Sequence, residues 1–330
     1  MNRHPDPMTE ALSLTDRRDA TRATSPRIAI CFFGITRSLR FTFPTIRDNV
    51  LAPARAAGET RVFAHLYRQS RVESVRTGEA VDVNPEEYRL LGADEVQLEM
   101  PDAAFSALPY DEIVAHGDIF QNGLHSLGNL VRQLHSLRQV TQAALLWEPD
   151  IVLFCRPDLH YFDSFERPIA RALSCRAPAC HLPYWQAHHG YNDRFALVRG
   201  TDLARVYGLR AERALDYCRS GTENGSRPLH SESLLRWVLR EERVRPLAVR
   251  AARIRANGET APREFFDRHW ITVSHTAIHY SRLPQRMKDG LHKGLNIVQA
   301  GIDRALYGNR ADPWEGWVKR GQIRVRRDVA

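Results

Sequence analysis

The sequence predicts an α/β fold: a mainly parallel central sheet flanked by helices, followed by a helical extension toward the C-terminal end. Three observations carry this expectation. Arg27-Ile-Ala-Ile-Cys-Phe-Phe-Gly34 and Ile151-Val-Leu-Phe-Cys155 are short, branched and aromatic runs, the signature of strands buried on both faces. Between residues 129 and 146 the apolar residues Leu130, Leu134, Leu137, Val140, Ala144 and Leu145 recur at three- and four-residue intervals, which marks an amphipathic helix. That helix delivers the chain to the Ile151 strand, and repeated strand-helix-strand order points to parallel pairing.

Taken in order, residues 27–34 form the first strand and end at a glycine, as in a nucleotide-binding half of an α/β sheet. Residues 45–57 have helical spacing, Thr60–Tyr67 is a second strand, residues 68–88 are polar and read as a loop with a short helix, and residues 93–99 form a third strand. After the Ile151 strand come a short strand over residues 179–185 and another over 195–198. A helix begins near Asp202, capped by Thr201 or Asp202. Residues 220–228 are the strongest loop signal, Ser231 leads into an apolar helix, and residues 243–255 alternate as a late strand. Residues 1–26 are polar, lack the apolar centre of a secretory signal and are expected to be a disordered lead-in. The α/β region is expected over 27–282, and a basic helical extension over 283–330.

Two polar clusters abut buried strands. Arg156-Pro157-Asp158 ends the Ile151 run, where Pro157 offers no N–H to continue the ladder. His188-His189-Gly190-Tyr191-Asn192-Asp193-Arg194-Phe195 precedes the next strand. Ligands of open α/β sheets bind beyond the carboxyl ends of strands, so both clusters are expected to border one cleft.

Composition narrows the class. No run of about 18 apolar residues suggests a membrane-spanning helix. The five cysteines lack metal-type pairing and fit small buried thiols of a reducing cytosol. The formal charge of +8 invites a nucleic-acid reading, but only three of the 47 basic residues are lysines, the arginines are spread among 39 acids, and no nucleic-acid motif is present. One denser cluster, Lys319, Arg320, Arg324, Arg326 and Arg327 beside Trp314 and Trp317, suits either peripheral contact with an anionic membrane surface or a solvated tail.

With these segments in order, the chain resembles the GT-A-fold glycosyltransferase-like proteins of bacterial surface-polysaccharide clusters over residues 27–258. The motifs are the first strand with Gly34-x-Thr36-Arg37, Val62-Phe63-Ala64-His65, the helix before Asp150, Arg156-Pro157-Asp158-Leu159, Gly190-x-Asn192-Asp193-Arg194-Phe195, and Ser231-Glu232-x-Leu234-Leu235. The resemblance implies a GT-A-like, Rossmann-like sheet and a cytoplasmic glycosyltransferase moving a sugar from a nucleotide-sugar donor to a glycan or lipid-linked acceptor. A non-catalytic nucleotide- or glycan-binding relative is the alternative.

The implied roles follow position by position. Gly34, Thr36, Arg37, Arg156 and Asp158 fall at donor-binding places. Metal-dependent members carry Asp-x-Asp where this chain has Asp158-Leu159-His160. Asp158 therefore either binds Mg²⁺ or Mn²⁺ with substrate oxygens and a histidine, or caps its turn while Arg156 supplies positive charge. Glu232, at a helix start, takes the place of the base that deprotonates an acceptor hydroxyl, with Asp193 as the other candidate. Trp185, Tyr191, Asn192 and Arg194 are acceptor or sugar candidates through stacking and bidentate hydrogen bonding, and Tyr184 is a further stacking candidate. His275, His279 and His292 are the late histidines at which some members supply a metal ligand.

Overall fold

The computed structural model describes residues 25–74, 78–183, 185, 190–221, 226–261, 278, 283–284, 286–291, 293–295 and 297–298. Its order is β1 (Arg27–Gly34), α1 (Leu39–Ile46), α2 (Ala52–Ala57), β2 (Glu59–Tyr67), β3 (Arg71–Ser74), β4 (Glu79–Asp82), β5 (Glu95–Glu99), α3 (Ala103–Ala107), α4 (Tyr110–Val114), α5 (His125–Leu145), β6 (Ile151–Cys155), β7 (Leu159–Tyr161), α6 (Glu166–Ser174), β8 (Ala179–Pro183), β9 (Ala196–Arg199), α7 (Thr201–Gly208), α8 (Ala214–Arg219), α9 (Ser231–Val238), β10 (Val244–Leu247) and β11 (Ala251–Arg253).

The protein is α/β, as expected, with a seven-stranded sheet ordered β10-β8-β9-β6-β1-β2-β5. Only β9 runs against its neighbours, pairing antiparallel with β6 and β8. Its reversal follows from chain direction: β9 leaves the cleft end, where Asn192 to Phe195 lie, and runs back. The alternation along β1 builds both cores. Ile28, Ile30 and Phe32 pack on one face with α1, α2 and α6, whereas Ala29, Cys31 and Phe33 pack on the other with α5, α7 and α9. Successive side chains of a strand point to opposite faces, so a strand covered by helices on both sides is apolar throughout.

Chain order produces a switch point. From β1 the sheet grows through β2 to β5 on one side, and β6 then returns to the other side of β1, parallel to it. The carboxyl ends of β1 and β6 thus lie side by side where the strand order reverses, the place at which ligands of open α/β sheets bind. Gly34 closes β1 with φ of 104°, a region that glycine enters without steric cost. Its N–H donates to Ser136 Oγ of α5 at 2.8 Å, and the Ser136 hydroxyl donates to the carbonyl oxygen of His65 in β2 at 2.6 Å. One hydroxyl thus holds two strand ends to the helix.

Several boundaries differ from expectation. The first helix starts at Leu39, six residues early, and carries Pro44 inside; the widened π-helical turn Arg47–Leu51 follows that proline. The polar stretch 68–88 contains the β3–β4 hairpin, whose Val72 packs with Val83 and Ala256. A contact to residue 256 has no local sequence signal. α5 begins at His125, because Asp118 accepts hydrogen bonds from the N–H groups of Phe120, Asn122 and Leu124 and organises the turn before it. Neither Thr201 nor Asp202 caps α7, which starts from Gly200 without a side-chain cap. The helical extension is seen only within 286–298. The lead-in 1–24, Tyr184, His188, His189, the centre of the 220–228 loop, His275, His279, His292 and the basic cluster 319–327 lie outside the described residues. No helix among the described residues is long and apolar enough to cross a membrane. All five cysteines are free, and Cys31, Cys155, Cys180 and Cys218 are buried.

Replacing Ser136 with alanine leaves the Gly34 N–H and the His65 carbonyl without that partner in a buried site, where each unsatisfied group costs about 1–3 kcal/mol. Urea unfolding is expected to show at least about 1 kcal/mol of destabilisation for Ser136→Ala and no measurable change for the exposed Ser106→Ala control.

Candidate active site

A cleft of about 570 Å³ opens at the switch point. Gly34 and Arg37 from the loop after β1, Arg156 from the loop after β6, Asp193, and Glu232 of α9 all line it. Five of the residues expected to share one site are therefore brought together. Arg253 and Arg255, at and just beyond β11, add two further guanidinium groups to the wall.

Asp158 lies directly behind this wall and is 1% exposed. Arg156 grips it with both arms, Nε donating to Oδ1 at 2.9 Å and a terminal nitrogen to Oδ2 at 2.9 Å, while Arg37 donates to Oδ2 at 2.8 Å. Burial opposes ionisation, but the charges of Arg156 and Arg37 outweigh it and hold the Asp158 carboxyl far below the usual carboxylate range. Asp158 does not reach the cleft surface. Both of its oxygens already face guanidinium groups, so the residues present do not fit a divalent ion at Asp158, and the expected metal role there is corrected to that of an anchor for two arginines. Arg37 also lies 3.7 Å from Glu79 Oε2, and Glu79 accepts the Ala256 N–H. The β3–β4 hairpin and the late strand thus meet at the same arginine.

A polar relay continues from Arg156. Its other terminal nitrogen donates to Gln133 Oε1 at 3.0 Å, and Gln133 Nε2 donates to Asp193 Oδ2 at 2.8 Å. Ser231 Oγ also donates to Asp193. Asp193 is nearly buried; burial raises its proton affinity, but Arg210, Ser231 and Arg156 together lower it. A carboxylate so stabilised as an anion is a weak proton acceptor, which counts against Asp193 as the expected base. Glu232 differs. It is one-fifth exposed on the cleft, with His230 Nε2 3.4 Å from its Oε2. The backbone beneath it is fixed by Gly190: a Cβ there would lie 1.8 Å from the Glu232 carbonyl oxygen, which accepts the Tyr191 N–H.

The remaining candidates sit elsewhere. Thr36 is 8% exposed and is skipped by the cleft wall, which takes its neighbours Ile35 and Arg37. Trp185 is fully buried, its indole N–H donating to the Val249 carbonyl. Tyr191 packs in the core beside α9. Asn192 is 1% exposed, donating to the Trp185 carbonyl and accepting the Arg194 N–H, and the Arg194 guanidinium stacks over the Trp185 ring at 4.9 Å. These four brace the segment that aims Asp193; none lines the cleft. His160, standing where a second aspartate was sought, is buried in β7 opposite Ala252.

A separate group, His65, Glu99 and His135, could hold a metal ion, one ligand atom from each lying within 4.8 Å of the others. Burial lowers the proton affinity of His65 despite the nearby Glu99 charge, and the two histidines lower that of Glu99 despite its partial burial. Sequence reading passed over this group because its members are spread across two strand ends and a helix, and it missed Gln133, Arg253 and Arg255 for the same reason.

No protein-family model matches the chain. No curated protein matches it either. What the cleft does is therefore read from its own side chains.

Because Asp158 has a depressed proton affinity in the folded state, its contribution to stability is complete above the unfolded value of about 3.9 and is lost as pH falls through the folded value. Asp158→Asn leaves two partly buried guanidinium groups short of a counter-charge, at an expected cost of about 3–5 kcal/mol at pH 7. Denaturant titrations should show this gap between wild type and variant narrowing below about pH 4.

Proposed function

We propose that the protein is a GT-A-type glycosyltransferase that binds a nucleotide-sugar in this cleft and transfers the sugar to a glycan or lipid-linked acceptor. The observation that carries the reading is the convergence of Arg37, Arg156, Arg253 and Arg255 with Glu232 around one opening at the sheet's switch point. Guanidinium groups match the paired oxygens of a diphosphate and stay charged at every working pH. Held against the cleft wall by Asp158, Arg37 and Arg156 are preorganised to stabilise the charge that develops on a departing diphosphate.

Glu232 acts as the base in this reading. An acceptor hydroxyl attacks the anomeric carbon as its proton passes to Glu232, and the bond to the diphosphate breaks with its electron pair leaving on the nucleotide. His230 orients the carboxylate from the side. Arginine takes the place that Mg²⁺ or Mn²⁺ holds in metal-dependent members, because the Asp158 oxygens are already engaged. The five free thiols support a reducing, cytoplasmic setting.

The second reading is a binding module that keeps the cleft without transfer. It is favoured by the buried His160 at the position of the second aspartate.

A thermal-shift panel of UDP-, GDP-, CMP- and dTDP-sugars separates these. At least one is expected to raise the melting temperature, because a ligand that binds only the native state stabilises it, and EDTA should leave that shift unchanged. Arg253→Gln with Arg255→Gln should abolish the shift. Binding of no nucleotide sugar would sink the transferase and leave only a glycan-binding module, and a shift lost with EDTA and restored by Mg²⁺ or Mn²⁺ but not by Zn²⁺ would return the diphosphate to a metal ion.

Glu232→Gln is expected to lower kcat by roughly 10² or more with donor affinity little changed, since a base acts only in the transition state. Donor binding without transfer to any of a panel of glycan and lipid-linked acceptors would favour the binding module.

A further inference from the structure

The end of β2, the end of β5 and the middle of α5 place His65, Glu99 and His135 together, and none of the three lines the cleft. His65 is fully buried and His135 is 1% exposed, whereas the Glu99 side chain is 29% exposed. The two imidazole rings meet edge to face with centroids 5.5 Å apart.

Hydrogen bonding fixes what His65 presents to its neighbours. Ser136 Oγ spends its one proton on the His65 carbonyl oxygen and accepts the Gly34 N–H. The contact of 3.0 Å between His65 Nδ1 and that same oxygen therefore requires Nδ1 to be the donor. In the neutral ring, Nε2 is then a bare lone pair. It has no hydrogen-bond partner among the described residues, and it faces Glu99 Oε2 at 3.5 Å. Two acceptors so placed repel unless something positive lies between them. A cation shared with His135, whose Nε2 is 2.8 Å from the same Glu99 oxygen, gives the Nε2 atoms of both rings and the carboxylate one common partner.

We propose that His65, Glu99 and His135 form a binding site for one divalent ion of the zinc class, separate from the nucleotide-sugar cleft. Two imidazoles and a carboxylate are a ligand set for Zn²⁺, whereas Mg²⁺ selects oxygen ligands. Tetrahedral coordination with bonds of about 2.1 Å requires ligand atoms about 3.4 Å apart, and the observed 2.8 and 3.5 Å separations bracket that value. Hydrogen bonding of His65 Nδ1–H to Ser136 supplies the outer support that orients a metal-binding ring. Partial exposure of Glu99 gives the ion its path in and a water its place as fourth ligand. The ion ties β2 and β5 to α5, and through Ser136 it braces the loop after β1.

Full-length protein stripped with chelator and dialysed is titrated with Zn²⁺, with metal content, melting temperature and the absorption of a Co²⁺-loaded sample as readouts. Wild type is expected to bind one more equivalent than Glu99→Gln or His135→Asn, to gain several degrees in melting temperature that both variants lack, and to give a tetrahedral Co²⁺ spectrum. Ser136→Ala should bind the ion about 10-fold more weakly. Glu99→Gln keeps the shape of a partly exposed side chain, so the comparison survives if His135→Asn fails to fold. Stripped wild type that takes up no Zn²⁺ at micromolar concentration, or that binds no more than Glu99→Gln, overturns the proposal and assigns the trio to a proton-held network. Whether the cleft binds a nucleotide-sugar is measured separately, and failure of either proposal leaves the other standing.

Discussion

A carboxylate buried between two arginines organises the carboxyl end of this sheet. Asp158 follows β6 directly, and the contacts of Arg156 and Arg37 to its two oxygens draw the loops after β6 and β1 together. Removing an ion pair from water is expensive, and it is recovered only where the geometry is good and the remaining hydrogen-bonding capacity is used. Here both oxygens are used. The cleft therefore inherits guanidinium groups of fixed position, and the cost of burying the aspartate is offset by a site that needs little rearrangement when an anion arrives.

The long helix α5 serves as the second organiser. Its Gln133 joins Arg156 to Asp193, its His135 meets Glu99, and its Ser136 ties Gly34 to His65. Leu134 and Leu137, interleaved with these, are fully buried. Polar residues inside an otherwise apolar helix face are tolerated only when each finds partners, and here those partners are strand ends. The cleft and the histidine group are thus neighbours on one helix without sharing a lining residue.

Clustered residues differ in what they do. Asn192, Arg194, Tyr191 and Trp185 look like a sugar-binding set in one dimension because they are polar and aromatic and lie within a few positions of each other. Packed, they bond mainly to each other and to nearby backbone, and among the described residues of that stretch only Asp193 reaches the cleft. Glycine at position 190 explains the arrangement, since the chain there passes too close to the Glu232 backbone for any side chain.

The sequence by itself determined the strands and helices whose signal is local: the doubly apolar β1 and β6, the periodic α5, and the polar residues that terminate them. It also determined that Arg37, Arg156 and Glu232 stand at element ends, because an apolar run that stops at a charge marks a strand terminus wherever it occurs. Only the tertiary structure decided which of those ends meet. The β3–β4 hairpin depends on Ala256, the Asp158 oxygens are claimed by an arginine 121 residues away as well as by a near neighbour, and His65, Glu99 and His135 converge from three elements. Side-chain period reveals a face, but the partner across that face is set by sheet order and crossover, which leave no trace in local spacing.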